Sequence, residues 1–392
     1  MTDPYAPADL GPLRLRNRTI KAATFEGRTP DALVTDDLID FHAEFARGGV
    51  GMTTVAYCAV APEGRTERRQ LWMRPEAVPG LLRLTAAVHA EGAAVSAQLG
   101  HAGPVADGAE HRTPVTPSRM VSPLALRRTA RPDAAHVRRL VAAHAEAAVL
   151  AADAGFDAVE LHFGHNYLIS AFLSPLLNRR RDGYGGSLPA RARLAREVAI
   201  AVREAVGDRI AVTAKLNMTD GVPGGLRPDD ALRVTRWLES DGALDALELT
   251  AGSSLLNPMY LFHGTPPRSE FAAAFPSPAL RAGLRVAGPA FLRAYPYRPA
   301  YLLDLARRFR AALSMPLVLL GGVSDGATVQ RAMDEGFEFV ALGRGLLRTP
   351  DLVRRMAADP HEEDRCTHCN LCMPTIYRRT ECPVRTAEEA GA

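Results

Sequence analysis

The sequence predicts a closed (β/α)₈ barrel with an insertion after its sixth strand and a cysteine-rich C-terminal tail. Three observations lead there. Strand-like and helix-like segments alternate almost without interruption, the short apolar runs number eight, and 392 residues suffice for one such barrel with additions. The runs are Thr19–Ala23, Met52–Tyr57, Ala94–Leu99, Ala158–His162, Ile210–Leu216, Ala246–Thr250, Pro316–Leu320 and Phe339–Leu342. Most are continuously apolar rather than alternating, as parallel strands covered on both faces should be.

The helices between them have readable starts. Thr35-Asp36-Asp37 caps a helix running toward Gly48, and Pro132 followed by Asp133 suits the first turn of one running toward Gly155. Pro189 opens a helix toward Val206, and Pro228 begins one ending near Gly242. Ala300–Leu313, Asp325–Glu335 and Pro350–Ala358 fit the later helices. Ser253–Arg298, rich in Pro, Gly and aromatic residues, is too long for a plain connection and reads as a covering inserted over the barrel mouth. Within it Tyr260, Phe262, His263, Tyr295 and Tyr297 are candidates to line a pocket. The expected division is a barrel over residues 1–360 and a tail over 361–392.

Composition narrows the partners. The net charge is +3 with histidine neutral and no basic block stands out, so nucleic acid and membrane surfaces are not expected. No apolar run approaches the ~20 residues that span a bilayer, and the N-terminus lacks the basic and apolar regions of a signal peptide. The cytoplasm is the expected compartment and a small molecule the expected substrate. Arginine supplies nearly all the positive charge. The two lysines, Lys21 and Lys215, both fall inside apolar strand segments, a placement that asks for buried partners.

The residues at the C-terminal ends of the strands carry the chemistry, since that is where such barrels collect catalytic groups. His162, His165 and Tyr167 follow the fourth strand. Two imidazoles and a weak acid together can hold a carbonyl oxygen and deliver a proton beside it. Gln98 ends the third strand and can offer a donor and an acceptor to the imide edge of a heterocycle. Lys215 ends the fifth strand and can place a fixed positive charge beneath an electron-accepting ring. Gly321-Gly322 and Gly343-Arg344-Gly345 follow the seventh and eighth strands, where barrels bind phosphate through open backbone N–H groups. Arg344 adds a bidentate ion pair. Each of these also has a bland reading as core amide, structural ion pair or tight turn. Together they describe a flat heterocycle with a phosphate tail lying across the barrel mouth.

From about Leu10 to Met356 the chain resembles the old yellow enzyme family of FMN-dependent oxidoreductases. The resemblance rests on Leu15-Arg16-Asn17-Arg18-Thr19-Ile20-Lys21-Ala22-Ala23, on Gln98-Leu99-Gly100-His101-Ala102-Gly103, and on the His162/His165/Tyr167 run. Phe172-Leu173-Ser174-Pro175-Leu176-Leu177-Asn178, Arg181-Asp182-Gly183-Tyr184-Gly185-Gly186-Ser187 and the two glycine loops complete it. It implies FMN as cofactor, with Ala22, Ala23 and Thr24 packed beside the flavin and Gln98 on its pyrimidine edge. Lys215 would stand near N1 and the C2 carbonyl, and Gly322, Gly343 and Arg344 would hold the phosphate. His162 and His165 would grip the substrate's carbonyl oxygen, and Tyr167 would donate the proton. The implied reaction is reduction of the C=C bond of an α,β-unsaturated carbonyl, with NAD(P)H as reductant.

The tail reads Cys366-x₂-Cys369-x₂-Cys372-x₉-Cys382. Four neighbouring thiolates admit three states: an iron–sulfur cluster, a structural zinc, or free thiols. The tail is similar to the one following the barrel in 2,4-dienoyl-CoA reductase and trimethylamine dehydrogenase, where it holds a [4Fe–4S] cluster. A cluster here calls for an external electron-transfer partner, and it opens the alternative function of a flavin dehydrogenase or demethylase that exports electrons through the tail. A homo-oligomer is the family habit. Cys58, alone at the end of the second strand, reads as a small buried hydrophobe.

Overall fold

In a computed structural model of the chain the described residues are 2–67, 69–106, 113–122, 127–275, 278–359, 361–362 and 364–391. The expected boundary at residue 360 and residues 276–277 of the insertion lie outside them.

Eight parallel strands close into a barrel: β3 (Thr19–Lys21), β4 (Met52–Ala59), β5 (Ala94–Gly100), β6 (Ala158–Phe163), β7 (Ala211–Asn217), β8 (Ala246–Thr250), β9 (Leu317–Leu320) and β10 (Phe339–Leu342). Each pairs in parallel with its neighbour in chain order, and β10 returns to β3. All eight fall on the predicted runs. The first stops two residues early at Lys21, although Ala22 N–H still bonds Leu342 O at 2.8 Å, and the second runs on to Ala59.

The helices begin where side chains can cap them. In α1 (Asp36–Arg47) the Thr35 hydroxyl accepts from Leu38 N–H, and in α3 (Ala134–Asp153) the Asp133 carboxylate accepts from His136 N–H. In α5 (Leu188–Val206) Ser187 does the same for Ala190, and α6 (Pro228–Asp241) stops at Gly242 in the left-handed region. Some elements have no counterpart in the sequence reading. An antiparallel hairpin of β1 (Ala8–Leu10) and β2 (Leu13–Leu15) precedes the barrel, and α2 (Val78–Ala90) links β4 to β5. Ala8, Leu10 and Leu15 of the hairpin pack with Ile20, Met52, Ala158, Ala211, Ala246, Val318 and Phe339, the first inward residues of the strands. The hairpin thus plugs the N-terminal end of the barrel and leaves only the C-terminal end open.

The segment after β8 is not structureless. It forms α7 (Arg268–Ala273) and α8 (Pro278–Phe291), whose Phe271 packs with Met259, Phe275, Leu292 and Met373 in a separate apolar cluster above the rim. The tail returns across the same face. Thr380 donates its N–H to Glu26 O at 2.8 Å and its hydroxyl to Phe25 O, while Arg28 donates to Thr380 O at 2.9 Å. Ion pairs Arg385–Glu44 at 2.6 Å and Arg379–Asp37 at 2.7 Å fix it to α1.

Candidate active site

The open end of the barrel holds a cavity of about 650 Å³. Its wall includes every barrel residue the sequence singled out: Ala22, Ala23 and Thr24 after β3, Gln98 on β5, His162, His165 and Tyr167 at β6, Lys215 on β7, and Gly322, Gly343 and Arg344 after β9 and β10. Residues from six separated stretches converge because parallel strands all end at the same rim.

His162 lies within β6, ladder-paired with Lys215, one residue deeper than the loop position expected for it. His165 and Tyr167 do lie on the loop. That loop turns sharply: His165 and Asn166 both adopt the left-handed region, at φ 62° and 59°. Side-chain acceptors hold the conformation, which would otherwise be disfavoured. Asn217 Oδ1 accepts from His165 N–H at 3.0 Å, and Ser170 Oγ accepts from Asn166 N–H at 3.1 Å. Asn217 is fixed in turn, donating to Asp220 Oδ1 at 3.0 Å and to Gly252 O at 2.7 Å.

The rings come together tightly. His162 and Tyr167 have centroids 4.6 Å apart, edge to face, and His162 and His165 lie 5.1 Å apart. His165 Nε2 meets Thr250 Oγ1 at 2.9 Å, whereas His162 Nδ1 is buried with no protein partner among the described residues. Burial, and then the charges of His165 and Lys215, hold His162 well below the usual imidazole range. Burial and Lys215 push His165 down to about 3. Both are neutral at physiological pH, so each has one N–H to offer. Burial pushes Tyr167 up to about 12, which keeps its phenol protonated.

Lys215 is clamped. Its Nζ donates to Glu160 Oε1 at 2.8 Å and lies 3.0 Å from Glu248 Oε1. Burial alone would pull the ammonium down, but the two carboxylates outweigh it and hold it above its ordinary value. Gln98 Nε2 also donates to Glu160, at 2.6 Å, leaving its amide oxygen for another partner. The second lysine answers its burial on the outside of the barrel. Lys21 packs over Phe41 and Phe45, 3.8 Å from Glu26, and donates to Thr24 Oγ1 at 3.0 Å.

The glycine loops differ in what requires them. At Gly322, φ is 78° and an added Cβ would stand 2.8 Å from Ala300 N and from the Tyr301 ring. The segment packed against it therefore demands glycine. Beside Gly343 a Cβ would meet nothing within 4 Å, so open space faces that backbone. Arg344 is less free than the sequence suggested: Nη1 donates to His263 O at 3.0 Å and to Asn370 Oδ1 of the tail.

Of the five insertion aromatics, Phe262 and Tyr297 line the cavity. Tyr260, His263 and Tyr295 instead pack on one another, His263 stacking on Tyr301 at 4.0 Å. Three residues were not legible beforehand. Thr250 and Asn217 orient the His165 loop from strands far along the chain. Tyr57 sits 5.1 Å from the Tyr167 ring with its hydroxyl buried and unpartnered among the described residues.

The cavity suits FMN on these grounds: small side chains at Ala22 and Ala23 leave a flat face, His162 and Tyr57 in its wall each keep a buried polar atom without a partner among the described residues, and Gly343 leaves room for a bulky anion. The tail thiols ring a second, small cavity, lined by Cys366, Cys369, Cys372 and Cys382 with Leu347, Arg348 and Asn370. Cys372 also lines the large cavity, as do Arg344 and Leu347, so the two cavities share part of their walls. Burial pushes Cys366 up to about 11 and Cys372 up to about 12. These thiols would become ligands only against a cationic centre. Among the described residues no three His, Cys, Asp or Glu side chains surround a single ion, and tetrahedral zinc would need sulfurs about 3.8 Å apart. Neither zinc nor an iron–sulfur cluster therefore has an assembled ligand set among the described residues. Among the described residues no helix is long and apolar enough to cross a membrane.

Comparison with known proteins agrees with this geometry. Residues 4–242 match the NADH:flavin oxidoreductase / NADH oxidase family. The chain is 53% identical over 384 residues to a 4,4'-dithiodibutanoate disulfide reductase of Rhodococcus erythropolis, covering 98% of this chain and 95% of that one. It is 32% identical over 391 residues to a metal reductase of Desulforamulus reducens, covering 99% of this chain but only 54% of the relative. Among solved structures, a 2-naphthoyl-CoA reductase in complex with 2-naphthoyl-CoA superposes with a TM-score of 0.82 at 24% identity, over 98% of this chain and 57% of that one. The chain thus spans about half the length of two of these three proteins. A barrel closed at one end, a rim of two neutral imidazoles, a phenol and a clamped lysine, and a family match over more than half the sequence converge: the chain is an FMN-dependent oxidoreductase of the NADH:flavin oxidoreductase / NADH oxidase family.

Proposed function

We propose that the protein reduces an electron-poor double bond of a small molecule, with NAD(P)H as the hydride source. The observation that carries this reading is the cluster of His162, His165 and Tyr167, three neutral donors in one wall of the cavity. FMN would be held by Ala22, Ala23, Thr24, Gln98, Lys215, Gly322, Gly343 and Arg344, and when bound and reduced it supplies a hydride. The chain's own residues do the rest. His162 and His165 donate to the substrate's carbonyl oxygen and draw negative charge onto it as the β-carbon is reduced. Thr250 fixes the His165 ring for that bond. Tyr167, protonated up to about pH 12, gives its proton to the α-carbon. The apolar walls from Phe262 and Leu255 keep water from the reacting atoms.

The test is anaerobic reduction of the bound flavin by NADH or NADPH, followed by mixing with a cyclic enone. Rapid reoxidation with saturated ketone as product is expected; a flavin left reduced by every enone tried rejects the reading. A second reading is reduction of an organic disulfide, favoured by the 53% identity to the Rhodococcus enzyme. Here the hydride pair breaks an S–S bond and Tyr167 protonates the departing thiolate. Mixing the same reduced protein with 4,4'-dithiodibutanoate and counting thiols separates the two.

For the tail we propose a [4Fe–4S] cluster on Cys366, Cys369, Cys372 and Cys382, exchanging electrons with an external partner; its presence would favour the dehydrogenase alternative. Iron counted per flavin in protein purified without oxygen decides it: about four supports the cluster and none removes it. The division into a barrel over 1–360 and a tail is likewise proposed, and the tail's bonds to Phe25, Glu26 and Glu44 make it a strap on the barrel rather than a free extension.

A further inference from the structure

The cluster around Lys215 holds one more carboxylate than the lysine can neutralise. Glu160 on β6 and Glu248 on β8 both face its ammonium, at 2.8 and 3.0 Å. All three are buried, at 4%, 2% and 2% exposure for Glu160, Lys215 and Glu248. With both carboxylates ionised the group carries a net charge of −1 directly behind the cavity wall.

The two carboxylates are not equivalent. Glu160 accepts hydrogen bonds from both Lys215 Nζ and Gln98 Nε2 on a single oxygen. Glu248 makes the ion pair, but its Oε1 has no well-aligned hydrogen bond among the described residues. Around it, β7 contributes Lys215 and β6 contributes Glu160, while β9 on the other side offers only Leu317, Val318, Leu319 and Leu320. Lys21 on β3, and His162 and His165 toward the rim, also interact with Lys215 among the described residues. Burial first, and then the charge of Glu160, raise Glu248 well above the ordinary carboxylate range despite the pull of Lys215.

Lys215 lines the flavin cavity and Glu248 does not. A negative charge arriving on a reduced ring beside Lys215 therefore meets the surplus carboxylate through that lysine. We propose that Glu248, paired with Lys215 behind the flavin cavity and opposite Glu160, takes up a proton when the flavin is reduced and so sets the pH dependence of its potential. This rests on the assignment of FMN to the cavity and adds to it a positioning residue that acts through Lys215. The balance is as follows. NAD(P)H delivers two electrons and one proton to the ring, leaving one negative charge there. Above about pH 8, where Glu248 is ionised before reduction, a second proton from solvent converts its carboxylate to a neutral carboxylic acid. NAD(P)⁺ leaves. The local charge is then the same before and after reduction, whereas without the second proton it would grow by one in a site of low dielectric.

The experiment is a spectroelectrochemical titration of FMN in the intact protein from about pH 6 to about pH 10, on the wild type and on Glu248→Gln. A two-electron couple shifts by about 30 mV per tenfold change in proton activity for each proton taken up. The wild type is expected to contain a span falling by about 59 mV per pH unit, two protons, where Glu248→Gln falls by about 30 mV per pH unit. Reduced-minus-oxidised infrared spectra give a second readout: the wild type should gain a protonated carboxylic acid carbonyl band that the variant lacks. Equal slopes in the two proteins overturn the proposal, as does a wild-type infrared difference without that band. Should Glu248→Gln fail to fold, a one-proton slope throughout the wild-type titration still overturns it. Failure of the wild type to bind FMN at all would sink the flavin assignment instead, so the two failures are distinguishable.

Discussion

At the scale of single residues, the site depends on protonation states that burial fixes. Tyr167 loses its proton only as pH rises through about 12, and His165 gains one only as pH falls through about 3. Between those limits neither changes charge, so neither should mark the pH profile of substrate reduction from about pH 6 to pH 9. Tyr167→Phe keeps the ring's contacts with Tyr57 and His162 but removes the proton. Its turnover should fall by roughly 10²–10⁴-fold while stopped-flow reduction of the flavin by NAD(P)H proceeds at the wild-type rate. Loss of both half-reactions together would mean that Tyr167 serves the fold instead. His162, His165 and Tyr167 were legible in the sequence because one strand end and one loop carry all three. Thr250 and Asn217 were not. A threonine or asparagine closing a strand looks the same whether it points at a histidine 85 or 52 positions away or at solvent.

Among the elements, the barrel strands were legible because continuous apolar runs bounded by helix caps leave few alternatives. The plug hairpin was missed because its strands have three residues each, too short for a period to register. Helix α2 was missed because no side chain caps it and its start carries Pro79-Gly80, a pair as typical of turns as of helices. The glycine loops looked alike in sequence and separate in structure, which makes them testable as a pair. Gly322→Ala forces a Cβ onto the 298–301 segment at positive φ and should cost about 1–3 kcal/mol, read as a lowered Tm with or without FMN. Gly343→Ala adds a methyl group into open space, so its Tm without FMN should fall less and its main effect should be weaker FMN binding in a fluorescence titration. The opposite ranking would place the phosphate elsewhere. The tail offers a third test. Gly264, at φ 132°, lies where a Cβ would be 2.1 Å from His368 O, within the cysteine loop. Gly264→Ala should push that loop off the insertion and raise the rate at which Cys366, Cys369 and Cys372 react with a thiol reagent. Unchanged labelling would mean that the loop is held by its other bonds, Thr265 N–H to His368 O and Asn370 to Thr265 O.

For the whole molecule, the same burial that keeps the imidazoles neutral has a cost at low pH. His42, His101, His144, His162, His165, His263 and His368 are all held below the ordinary imidazole value, with burial the leading cause in each; His101 sits at about 3 and His144 at about 4. Each binds a proton in the unfolded chain below about pH 6.5 that it refuses when folded, so its stabilisation is complete above that pH and is lost as pH falls toward the folded value. The raised carboxylates act in the opposite sense. Glu248, Asp220 and Asp364, the last pushed up to about 6 by burial, hold protons in the folded state that the unfolded chain releases, and they gain stability as pH falls. Seven groups against three decide the direction. Each neutral histidine contributes a slope of up to about 1.4 kcal/mol per pH unit below its unfolded value, so the carboxylates offset less than half of it. The urea midpoint of the intact protein should therefore drop steeply from pH 6.5 to pH 5, well before the surface carboxylates titrate. His144→Gln isolates the effect, because the His144 ring contacts the backbone of its own helix through Leu140 O at 2.7 Å and stands outside the cavity wall. Its midpoint should be lower than wild type at pH 8 yet fall less between pH 6.5 and pH 5. A variant curve parallel to the wild type over that span would show that the His144 imidazole titrates alike in the folded and unfolded chains, and the acid sensitivity would then have to come from the rim.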